Sequence, residues 1–170
     1  MSFKLIKTSK HLLLSGLLVS VGLWAMPGFA QAQVKDNQLN AFVEALRQAA
    51  PPNRPNDGMY SAWQVLPGII PDWTKRCIGK QMTPAQFESD ADAARRTVSC
   101  IAGREFNKQM KATGNEAAAV RSAACWWMTG KYSGCNSGFQ GQYVQKVVSA
   151  YQKQASGAPP ASGASPGVTR

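Results

Sequence analysis

Four cysteines lie downstream of a 32-residue leader that has the layout of an export signal, and this combination constrains the fold more than any other feature of the chain. Lys4, Lys7 and Lys10 form a positive start and the apolar run 12–26 follows. Pro27 and Gly28 break that run, and Ala30-Gln31-Ala32 presents the small-x-small pattern that signal peptidases cut. As a helix the 15 residues of the run rise about 22 Å, short of the ~30 Å hydrocarbon core that an anchor must cross. Cleavage after Ala32 is therefore the expected fate of segment 1–32. The product is expected to be exported, periplasmic or secreted, with no transmembrane span. In an oxidising compartment Cys77, Cys100, Cys125 and Cys135 read as two disulfides. Their spacing contains no C-x-x-C, which argues against a redox pair or a zinc knuckle, so no metal and no cofactor is expected.

Removal of the leader has a chemical consequence as well. It takes away His11, the only histidine, and with it the commonest general base and metal ligand. The 19 basic residues fall to 16 against nine acidic ones, a net charge of +7. Such an excess attracts anionic partners over long range, although no nucleic-acid motif is present.

The remaining chain has helical rather than strand periodicity. Leu39, Phe42, Val43 and Leu46 form one stripe of a helix over 36–50, which Pro51 and Pro52 end. Tyr60, Trp63 and Leu66 predict a short helical turn, and Pro71-Asp72-Trp73 predicts another that runs into Cys77. Thr83-Pro84-Ala85-Gln86 is a capping box with proline at the first helical position. It opens a helix expected to continue unbroken to about Ala112. Thr113-Gly114-Asn115 then stops one helix and caps the next, over 116–128, and a last helix follows Gly138. The expected fold is all-α: a small disulfide-stabilised bundle of about four to five helices in residues 33–154, followed by a disordered Ala/Gly/Ser/Pro tail over 155–170.

An unbroken helix over 84–112 fixes the expected disulfides. Folded back about Gly114, it brings Cys100 and Cys125 to within about 4.5 Å of level at 1.5 Å per residue. A Cys77–Cys100 bridge would need the six residues after Cys77 to return along some 25 Å of helix, when six residues reach only about 21 Å. Cys100–Cys125 with Cys77–Cys135 is the pairing expected, with Cys125–Cys135 and Cys77–Cys100 as the next alternative.

No residue emerges as catalytic. Arg104, Lys108 and Lys111 fall at i, i+4 and i+7 on one helix face, and Trp126 and Trp127 stand beside Lys131 and Tyr132. Together they form the candidate surface for an anion or for stacking on a sugar ring. The expected function is a non-catalytic binding or envelope-associated module whose partner is an anionic polymer, a glycan or another envelope protein. The alternatives are a small secreted hydrolase working through carboxylates and an inhibitor or effector scaffold that binds another protein.

Overall fold

The computed structural model describes residues 33–54 and 57–157, and the leader and the tail beyond Gly157 lie outside them. The described residues form six α-helices: α1 (Asp36–Ala49), α2 (Ile70–Ile78), α3 (Pro84–Ser89), α4 (Ala91–Thr113), α5 (Glu116–Thr129) and α6 (Gly138–Ala155). A 3₁₀ turn, Pro67–Ile69, leads into α2. The fold is all-α, and no helix among the described residues is long and apolar enough to cross a membrane.

The four longest helices close a ring in which α1 packs on α6 and α4, while α5 packs on α4 and α6. Each contributes one apolar stripe. Phe42, Val43 and Leu46 from α1 meet Val98 and Phe106 from α4, Val120 from α5 and Val144 and Val147 from α6, all essentially inaccessible. Phe106 stands at the centre, 4.9 Å from the Phe42 ring and 6.0 Å edge-on from Tyr151. Buried alanines on α1, α4 and α5 let the axes approach closely.

Glycine is required where the start of α6 lies against the loop that leads into it. A Cβ on Gly141 would stand 2.9 Å from the Asn136 carbonyl carbon, which is backbone, whereas one on Gly103 would meet only the Leu39 side-chain tip at 3.0 Å. Gly141→Ala is expected to destabilise the fold by about 1–2 kcal/mol, overpacking outweighing the gain in helix propensity. Leu39 can yield, so Gly103→Ala should stay within about 0.5 kcal/mol of the parent. Denaturant midpoints of the two variants check the contrast.

Three expectations are corrected. The segment after Gly58 is not helical: Tyr60 and Val65 form an isolated antiparallel bridge, with paired backbone hydrogen bonds of 3.0 and 2.8 Å. Nor is the helix over 84–112 continuous. The capping box forms as expected, with Gln86 N–H donating to Thr83 Oγ1 (3.2 Å) and Thr83 N–H to Gln86 Oε1 (2.9 Å). Asp90 then leaves helical geometry at φ −117° and ψ 85°, and its carboxylate caps a new helix by accepting from Ala93 N–H at 2.8 Å. This break raises the helix count to six.

The third correction follows from that break. The disulfides are Cys77–Cys100 and Cys125–Cys135, each with Cα atoms 5.8 Å apart, and not Cys100–Cys125 and Cys77–Cys135. With the helix interrupted at Asp90, the chain after Cys77 needs to return along only the first ten residues of α4, about 15 Å. That lets α2 lie against α4. Cys100 is exposed on α4 while Cys125 is buried on α5, so the two face different surroundings. Past Gly130 the chain curls back and seats Cys135 under the end of α5.

Candidate binding site

The bridge between Tyr60 and Val65 encloses a tight turn that builds one wall of a hollow. Ser61 and Gln64 both lie in the left-handed region, at φ 66° and 53°, a conformation that costs non-glycine residues of order 1–3 kcal/mol each. Surrounding contacts hold them there. Glu88 accepts from Ser61 N–H and, at 2.7 Å, from Asn53 Nδ2. The Gln64 side chain donates to Asn53 Oδ1 at 2.9 Å. The indole of Trp63, 5% exposed, donates to the Val43 carbonyl of α1 at 2.9 Å.

Against this turn stand the end of α1, the 3₁₀ turn, α2, the last turn of α5 and the start of α6. Between them lies a hollow of about 260 Å³ lined by Ala50, Pro51, Met59, Trp63, Gln64, Val65, Leu66, Ile69, Trp73, Trp127, Met128, Phe139 and Tyr143. It exceeds the roughly 150 Å³ that holds a benzene ring and approaches the ~300 Å³ lower bound of small-molecule sites. Leu66 and Phe139 at its rim are the exposed large apolar side chains of the described residues, at 56% and 65%. Besides the indoles, its polar side chains are Gln64 and Tyr143.

An aromatic ladder runs away from the hollow. Trp127 tilts against Trp73 at 5.6 Å, Trp73 stacks on Trp126 at 6.5 Å, and Trp126 stacks on Tyr132 at 6.5 Å. Lys108 lies 4.8 Å over the Tyr132 ring and donates to its hydroxyl at 2.9 Å. That oxygen holds the Lys108 ammonium above its ordinary range. Tyr132 in turn donates to Glu105 at 2.5 Å, and Arg104 Nε donates to the other Glu105 oxygen at 2.9 Å. A buried carboxylate is thus satisfied on both oxygens.

The predicted surface residues therefore separate. Arg104, Lys108 and Trp126 gather around Tyr132 and Glu105, where the two cations contact their own chain. Lys111 is exposed in the last turn of α4. Trp127 belongs to the hollow. The acidic side chains Glu88 and Asp92 lie on different helices, α3 and α4, on either side of the break at Asp90. The sequence reading missed Leu66, Phe139 and Tyr143 as lining residues. The signal that pointed there was the density of Met, Tyr, Trp and Pro over 59–73, which no single helical stripe can bury.

Two buried phenols give the domain an alkaline limit. Burial pushes Tyr143 well above the usual tyrosine range, and burial together with donation to Glu116 does the same for Tyr151. A phenol whose pKa is raised on folding stabilises fully below the unfolded value of ~10 and progressively less as pH rises beyond it. The denaturation midpoint is expected to fall above pH ~10, and less steeply in a Tyr143→Phe/Tyr151→Phe double variant.

Among the described residues no cluster of three or more His, Cys, Asp or Glu side chains is placed to hold a metal ion. Compared with protein-family models, with curated proteins and with solved structures, the chain has no match.

Proposed function

We propose that the protein is an exported, non-catalytic binding module and that the aromatic hollow, rather than the basic stripe of α4, is its contact with ligand. One observation carries the reading: a concave apolar site whose rim holds the two exposed large apolar side chains, Leu66 and Phe139. A folded monomer gains nothing by leaving such groups in water beside a hollow that could take more apolar surface. Two disulfides are compatible with export. The strained turn at Ser61 and Gln64 supports the reading further, since backbone in sparsely populated regions concentrates at ligand-contacting sites. On the α4 face Arg104 is ion-paired with Glu105 and Lys108 is tied by a hydrogen bond to the Tyr132 hydroxyl, which leaves Lys111 with neither kind of contact.

Binding of an uncharged apolar dye, Nile red, tests this. Leu66→Asp and Phe139→Asp are expected to weaken binding about tenfold or more each, with unchanged thermal midpoints because both side chains are exposed. Undiminished binding in both variants would overturn the assignment.

A further inference from the structure

We infer that the ligand class is a monomeric single-chain anionic amphiphile, a long-chain carboxylate, with its tail in the hollow and its head at Lys146; this rests on the reading above. The hollow is partly open to solvent. Ala50, Pro51, Phe139 and Tyr143 also line an adjoining depression that reaches Gln48, Gln142 and Lys146. A further depression shares Gln48 and Lys146 and ends at Lys153. Phe139, Tyr143, Lys146 and Lys153 fall on one stripe of α6, so the path leads from aromatic to cationic along a single helix face. Lys146 stands about 4.5 Å further along the axis than Tyr143.

The charge of this exit is one-sided. No acidic residue occurs in α6, and on the facing helix Glu44 is already held by Arg47 at 2.9 Å and Gln48 at 3.1 Å. Among the described residues Lys146 has no ion-pair partner. An apolar hollow ending at unpartnered ammonium groups complements a molecule with an apolar tail and an anionic head. At about 260 Å³ the hollow itself matches the bulk of one alkyl tail better than the paired tails of a bilayer lipid. A sugar would find few polar partners in this lining, with Gln64 and Tyr143 the side chains on offer apart from the indoles.

Calorimetric titration of the purified protein with dodecanoate, dodecanol and dodecyltrimethylammonium, each below its micelle-forming concentration, tests the inference. Dodecanoate is expected to bind about three- to tenfold more tightly than dodecanol, and dodecyltrimethylammonium more weakly than either. Lys146→Glu should abolish the preference for dodecanoate while leaving dodecanol binding intact, whereas Lys111→Glu on α4 should leave the preference unchanged. Equal affinity for dodecanoate and dodecanol, or a preference that survives Lys146→Glu, would overturn the anionic head group and leave the hollow standing. Failure of all three probes to bind would instead overturn the hollow as a ligand site. Binding to phosphatidylglycerol vesicles without binding of dodecanoate would overturn the monomeric amphiphile.

Discussion

Replacing Trp63 by alanine is expected to cost roughly 3–5 kcal/mol of folding stability, read as a shift in denaturant midpoint. Trp63 is the rivet between the 60–65 turn and the bundle. Its ring is 5% exposed, and its indole N–H donates to the Val43 carbonyl at 2.9 Å. Truncation removes the apolar area, leaves a void beside α1, and releases a turn whose Ser61 and Gln64 hold unfavourable backbone angles. Trp63→Phe keeps the larger part of the packing but loses the hydrogen bond and the five-membered ring, so about 1–3 kcal/mol is expected. The two variants thus separate most of the packing from the polar attachment. Because a domain of this size is held by only about 5–15 kcal/mol, the alanine variant should populate unfolded chain under mild denaturant. A cost below about 1 kcal/mol would mean that the turn is attached by other means.

Removing either disulfide should have the next largest effect. The closed loops have sequence separations of 23 for Cys77–Cys100 and 10 for Cys125–Cys135. Chain entropy assigns them about 3.4 and about 2.7 kcal/mol. Access distinguishes them in the other direction. Cys100 is exposed, while Cys125 and Cys135 are 2% and 5% exposed. Graded reductant is therefore expected to open Cys77–Cys100 first, although its loss costs slightly more stability. Peptide mapping under non-reducing conditions should recover the 77/100 and 125/135 linkages. Recovery of a 100/125 linkage would contradict the observed packing of α2 on α4.

What was legible in the sequence, and what was not, follows from the range of the interactions involved. Helix ends fixed by local chemistry were readable: the Thr83 capping box, the Gly114-Asn115 stop and restart, and the apolar stripe of Phe42, Val43 and Leu46 all lie where residues within one or two turns place them. The break at Asp90 was not. Asp90 and Asp92 both stand in a helical run, and composition does not say which of them, if either, caps; Asp90 does so because its carboxylate finds Ala93 N–H. That one local choice shortened the helix and reversed the expected disulfide pairing. The turn at Ser61 and Gln64 was hidden for a different reason. Neither residue type announces positive φ, and the contacts that impose it come from Asn53, Glu88 and Val43, distant in sequence. The candidate site inherits that difficulty, since its lining is drawn from stretches of chain as far apart as Ala50 and Tyr143. Arg104 and Lys108 were identifiable as neighbours on one helix face, but their internal partners, Glu105 and Tyr132, were not.

Entry of ligand into the aromatic hollow can be read at the methionine methyl groups. Met59 and Met128 line the hollow, whereas Met82 and Met110 are buried elsewhere, at 4% and 7% exposure. In a protein labelled at methionine methyl carbons, titration with dodecanoate is expected to shift the Met59 and Met128 resonances in a saturable manner and leave those of Met82 and Met110 in place. Saturable binding that leaves Met59 and Met128 unmoved would place the ligand outside the hollow.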